Sequence, residues 1–286
     1  MRVAILAIGW FMIVLGISIS CYNKDSHATA NESGCDTAIS LITPELAAIL
    51  QASYPNAGSV ELLKLFQDKQ KLNEIYLQAL AETERILGIK LKSIPKLTIS
   101  PAALPGFFSS QENRINISPA VALSFYNFVR PYLRGSDDFV KTLQALMSHE
   151  LTHAIQDQEV PGLKYFTLLQ KVGVESFAVY VQAQTSERLG VQYLFDILVR
   201  VLGAEESLKQ MDNMSSKEYQ FMFVLSDKLA SKTIEHFNGD KLKALKTLLK
   251  LPPTADEQVS NPDKYIAHLA SVPIKERRLL FPRFSN

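Results

Sequence analysis

The chain has 286 residues, 47% of them hydrophobic, and a formal net charge of +1 at pH 7. A near-neutral chain without a basic run offers nucleic acid no electrostatic footprint. Its two cysteines, Cys21 and Cys35, exclude a disulfide framework and a cysteine zinc site, so the fold must rest on an ordinary core.

The N-terminus sets the compartment. After Arg2, residues Val3 to Ser20 carry no charge and are mostly Ile, Leu, Val, Ala, Phe and Met, ending in Ser18-Ile19-Ser20-Cys21. A positive residue, an apolar run and small residues at the end read as a secretory signal over residues 1–20. Cys21 directly after the cut points to a lipoprotein with an acylated Cys21, although Ser18 stands where Leu is usual. An uncleaved anchor is the alternative, since the run is near the lower limit for spanning a bilayer. A second small-residue site, Ala28-Thr29-Ala30, lies far from the apolar run. Residues 21–40 are polar and read as a flexible tether. His27 lies within it and has no assigned role. If Cys21 is lipidated, Cys35 stays unpaired; if not, the two can close a small loop. Every version places the folded body, residues 41–286, outside the cytoplasm.

That body is expected to be mainly α with a small β-sheet, an α+β fold. Helical periodicity covers 44–53 and 59–87, the latter closed by Gly88. Leu97-Thr98-Ile99 is strand-like. Phe107-Phe108 and Ile115-Asn116-Ile117 bracket Ser109 to Arg114 as a hairpin.

Next comes His149-Glu150-Leu151-Thr152-His153, an HExxH pentad. Phe139, Val140, Leu143, Leu146, Met147, Leu151, Ala154 and Ile155 follow helical spacing around it. Ser136, Asp137 and Asp138 signal a helix start, and Pro161-Gly162 a stop. On such a helix residues four apart share a face. His149 and His153 can therefore hold one zinc ion, with Glu150 displaced around the helix beside the metal.

A catalytic zinc site takes three protein ligands. A second helix is expected from Leu163 to Leu189, and Glu175 stands within it, 22 positions beyond His153. Val174, Phe177, Ala178 and Val179 surround it, so its carboxylate must be paired or bound to metal. Small Ser176 and Ala178 let the helices approach. Glu187 is the nearest rival, in the polar run Thr185-Ser186-Glu187-Arg188; a solvent-facing Glu175 is the bland alternative. Further helices are expected over 191–202, 216–237 and 240–251. Met211, Met214 and Met222 read as core, and His236 as a surface or capping residue beside Asn238-Gly239.

HExxH on one helix and a Glu in a Glu-Ser-x-Ala setting on the next resemble the gluzincin branch of zinc metallopeptidases. The stretch from His149 to Gln158 is similar to HELxHAxQDQ in a group of bacterial and archaeal metallopeptidase-like proteins. Their PPxxxEQ segment is matched by Pro252-Pro253-Thr254-Ala255-Asp256-Glu257-Gln258. Those relatives continue into HPxKY; here Asn261 precedes Pro262, where they often have His. The resemblance covers roughly residues 100–267 and implies a zincin-like fold, with the HExxH helix packed on a second ligand-bearing helix. Zincin-like folds place an edge strand just before the HExxH helix, so the resemblance implies that either the Leu97-Thr98-Ile99 segment or the hairpin is an edge able to pair with an extended peptide; the alternative is a surface hairpin without a substrate role.

It also implies a reaction. Zinc on His149, His153 and Glu175 would activate water, and Glu150 would act as general base and then acid on a peptide substrate. A downstream Tyr or His would support the oxyanion; Tyr265 is the first choice, with His268 and Tyr180 as alternatives. Asp157, one turn beyond His153, either orients a ligand imidazole or merely finishes the helix with Gln158. A different class of function also fits: an envelope lipoprotein that binds a partner with little turnover. The intact Glu150 favours the enzyme.

Overall fold

The computed structural model describes residues 39–102, 106–161, 168–191, 230–231 and 233–249. It opens on a two-residue strand, β1 (Ile39–Ser40), followed by α1 (Pro44–Ser53), α2 (Ala57–Gln67) and α3 (Lys69–Leu87). Ile39 and Ser40, expected to end the tether, pair with the sheet instead.

The helix expected over 59–87 is in fact α2 and α3. Asp68 separates them in an extended conformation. Its N–H closes α2 on the Leu65 carbonyl at 3.0 Å, and its carboxylate caps α3 by accepting from the Lys71 N–H at 2.9 Å. Asp competes with the backbone inside a helix but is strongly favoured at an N-cap, by about 1 kcal/mol over Ala. Asn56 caps α2 in the same way through the Ser59 N–H. Gly88 ends α3 as expected, with φ of 71°, a conformation that costs glycine little.

The sheet contains β1, β2 (Lys96–Ile99), β3 (Gly106–Ser109) and β4 (Arg114–Ile117) in the order β1-β2-β4-β3. β1 and β4 run parallel to β2, and β3 and β4 form the expected antiparallel hairpin. The chain therefore passes from β2 to the outer position and returns along β4. β3 and β1 are the two edge strands.

α4 (Pro119–Val129) has no counterpart among the expected elements. Its Pro sits in the first helical turn, where a missing N–H costs nothing. α5 (Ser136–Glu159) carries the pentad. It starts where Ser136, Asp137 and Asp138 predict, with both carboxylates in the first turn, where the helix dipole favours negative charge. Asp138 also accepts from the Arg134 N–H at 3.1 Å and from its guanidinium at 2.9 Å. α6 (Leu168–Arg188) follows, and α7 (Lys241–Leu249) packs against it.

Fully buried Phe66, Leu72 and Tyr76 from α2 and α3 meet Leu97, Ile99, Ile115 and Ile117 of the sheet, with Leu123 and Met147. Burying each large apolar side chain contributes about 1.5–3 kcal/mol. Behind the pentad, α3 and α5 approach through small residues. Across the contact, the Thr83 hydroxyl donates to the Ser148 carbonyl and the Ser148 hydroxyl to the Ala79 carbonyl, each at 3.4 Å. Buried Glu82 of α3 is paired with Arg85 at 2.6 Å and with Arg188 at the end of α6. The pentad helix is thus held between α3, α6 and the hairpin. The described residues are mostly helical with one four-stranded sheet, an α+β arrangement.

Candidate metal centre

His149 and His153 stand one turn apart on α5, as the pentad spacing requires. Their Nε2 atoms are 3.2 Å apart. Glu175, on the facing turn of α6, places Oε2 3.2 Å from Nε2 of His149 and 3.6 Å from Nε2 of His153. The three donor atoms converge as a group that can hold a metal ion. Glu175 is only 9% exposed, which removes the solvent-facing alternative, whereas Glu187 is exposed. Ser176 and Ala178 are fully buried.

Both imidazoles are held from behind. Nδ1 of His149 lies 3.1 Å from Oε1 of Gln182, and Nδ1 of His153 lies 2.8 Å from Oε1 of Gln156. Gln156 also donates from Nε2 to the Val174 carbonyl at 2.6 Å, joining α5 to α6 one residue before Glu175. The orienting role considered for Asp157 is therefore taken by its neighbour and by a residue of the facing helix. Asp157 is partly buried, which pushes its carboxyl up. Gln158 bridges the Lys92 N–H and the Lys90 carbonyl after α3, at 2.6 and 2.9 Å. Sequence reading missed Gln156 and Gln182 as partners. A signal was present: each stands seven positions after a ligand, His149 and Glu175. Seven residues make almost two full turns and restore the same face.

Glu150 is 5% exposed and stays outside the triangle of donors. It points to the edge strand, where a hydrogen bond from the Phe108 backbone reaches its carboxylate. The approach needs Gly106. A Cβ there would meet Ile117 Cδ1 at 3.2 Å and both Glu150 Oε1 and Leu146 Cδ2 at 3.4 Å. β3 pairs with β4 on one side only, so the expected hairpin forms and its first strand lies at an edge of the sheet.

The charges are mutually coupled. Burial raises the Glu150 carboxyl, the two imidazoles oppose the rise, and the Glu175 charge adds to it. For Glu175 burial also pushes upward, but His153 and His149 outweigh it and hold the group below the ordinary carboxylate range. Burial disfavours charge on His153, yet the Glu175 charge and hydrogen bond, with Glu150 and Gln156, push its pKa up to about 9. Two buried carboxylates beside two imidazoles make a site complementary to a cation.

Tyr180 lies on α6 five residues beyond Glu175. At 3.6 residues per turn that rotates it by about 140° from the ligand face. Its ring packs against Phe177 with centroids 6.4 Å apart, and burial raises its hydroxyl. Tyr180 therefore does not share the face that carries Glu175 and Gln182. His236 is exposed beside Phe237, ahead of Asn238 and Gly239 in left-handed conformations, as a surface residue at a helix end should be. Tyr265, His268, Asn261 and the Pro252-Pro253 segment lie outside the described residues, as do Cys21, Cys35, His27 and the three methionines. So do the first turn of the helix expected from Leu163, nearly all of 191–202, and 216–229.

Comparison with protein-family models, curated proteins and solved structures finds no match for this chain.

Proposed function

We infer that the protein is a zinc-dependent hydrolase of peptide bonds, with a zincin-like arrangement of the gluzincin type. The observation that carries this reading is the donor triangle of 3.2, 3.2 and 3.6 Å. Tetrahedral zinc with bonds near 2.0–2.1 Å requires donor separations of about 3.3 Å. Two neutral imidazoles and one carboxylate also match the donor set of catalytic zinc sites, which leave a fourth position open. Bound there, zinc supplies Lewis acidity and makes water a nucleophile near neutral pH.

The chain's own residues supply the rest. Glu150 is the group placed to accept a proton from the attacking water and return it to the leaving amine. It lies beside the donors without joining them, and the Phe108 backbone fixes its carboxylate. β3 can take an extended peptide by strand addition, which would bring a scissile bond past Glu150. Tyr265 remains the proposed oxyanion partner on the strength of the family resemblance.

The test is metal analysis of the purified full chain together with cleavage of a broad peptide library. One zinc per chain and cleavage of at least one peptide are expected. Zinc without cleavage would favour a partner-binding lipoprotein, and no zinc would overturn the reading altogether.

The compartment follows from the N-terminal run. Among the described residues no helix is long and apolar enough to cross a membrane; the N-terminal run is the proposed point of attachment. Mass spectrometry of the native protein is expected to find a diacylglyceryl group on Cys21. A free mature terminus elsewhere, such as Asn31, would show a secreted or periplasmic protein instead.

A further inference from the structure

We propose that Gln156 and Gln182 are a matched pair of positioning residues that select the metal-binding tautomer of both histidines and brace the two ligand helices together. The proposal rests on reading His149, His153 and Glu175 as a metal site. A neutral imidazole offers one lone pair, and the hydrogen bond at the other nitrogen decides where it is. A carboxamide could face that nitrogen with either end. For Gln156 the choice is forced. The Val174 carbonyl can only accept, so the carboxamide nitrogen must face it at 2.6 Å. Oε1 is then left for His153, which must donate from Nδ1 at 2.8 Å. The lone pair is thereby placed on Nε2, the atom that faces Nε2 of His149 and Oε2 of Glu175.

Oε1 of Gln182 lies 3.1 Å from Nδ1 of His149 on the opposite helix, placed to do the same for that ring. Gln156 is 1% and Gln182 6% exposed, so water does not compete for either contact. Each histidine of α5 is thus referred to α6: one directly, the other through Gln156 to the residue preceding Glu175. Both partners are neutral. A carboxylate in either place would add a buried negative charge to a site that already holds Glu150 and Glu175. The pair therefore orients the rings without adding charge.

The two positions make different demands, and the test uses that difference. Gln182 needs only an acceptor; Gln156 needs an acceptor and a donor. Zinc affinity is measured by chelator competition on the full chain and on Gln156→Met, Gln156→Glu, Gln182→Met and Gln182→Glu. Thermal unfolding confirms the fold, and the absorption spectrum of the cobalt-substituted protein reports donor geometry. Loss of a residue that orients a metal ligand typically weakens binding about 10–100-fold. Both Met variants are expected to lose affinity on that scale and to shift the cobalt spectrum. Gln182→Glu should restore zinc binding, because a carboxylate still accepts from Nδ1. Gln156→Glu should not, because it cannot donate to the Val174 carbonyl.

Folded Met variants within about threefold of the wild type, well short of that loss, would overturn the proposal while leaving the metal site standing. Gln182→Glu as weak as Gln182→Met would overturn tautomer selection in favour of packing alone. A wild type that binds no zinc would overturn both this proposal and the metal reading beneath it.

Discussion

Glu150→Gln is expected to leave zinc bound and the fold intact while lowering peptide turnover by about 10²–10⁴-fold, the usual contribution of a positioned general base. Three observations make the substitution informative. Glu150 lies outside the donor triangle, so the metal loses no ligand. Gln preserves the size of the side chain and can still accept the hydrogen bond from Phe108. The side chain is buried beside Gly106, so a change of volume would disturb the edge strand, but Gln makes none. What disappears is the capacity to take a proton. Burial raises the Glu150 carboxyl in the folded protein, as suits a base that must later act as an acid. Equal cleavage rates for wild type and variant would assign the activity to another site or to a contaminant.

His153→Ala is expected to abolish stoichiometric zinc binding and, with it, all peptide cleavage. Removing one of three protein donors leaves two, and the cavity left at position 153 also releases Gln156 from its imidazole partner. Glu175→Gln should act similarly, since a neutral amide is a poor substitute for the one anionic donor. The two variants should therefore lose metal and activity together, whereas Glu150→Gln should separate them. Full zinc retention by His153→Ala would sink the assignment of these donors. Elemental analysis of the three variants beside the wild type is sufficient.

The pentad was legible because its chemistry is local. Two histidines four apart on a helix share a face whatever surrounds them. Glu175 was harder, since a carboxylate in an apolar helix says that it has a partner but not which one. The contact between α5 and α6 supplies the answer. The hairpin was readable from its alternation and its polar turn. Its place at the sheet edge was left open between two segments, because strand order depends on a crossover that periodicity does not encode. The merged helix over 59–87 has the same origin: the apolar spacing of α2 runs on into α3, and only the preference of Asp68 for a cap marks the break. α4 went unread because its Pro119 resembles a stop as much as a start. Gln156 and Gln182 were missed for a chemical reason. Carboxylates are the familiar orienting groups, so attention fell on Asp157, although its neighbour has the better helical phase.

The order of the strands also determines which side of the molecule faces its surroundings. β1, where the chain from the N-terminal region enters the fold, and β3, which flanks Glu150, are the two margins of the sheet. Three strand spacings, about 14 Å, lie between them. A load drawn through the N-terminal region is taken up at β1 and the helices beyond it, on the margin remote from Glu150. Immobilising the protein by its N-terminus is therefore expected to leave the β3 margin, and the proposed site beside it, open to large ligands approaching from the side.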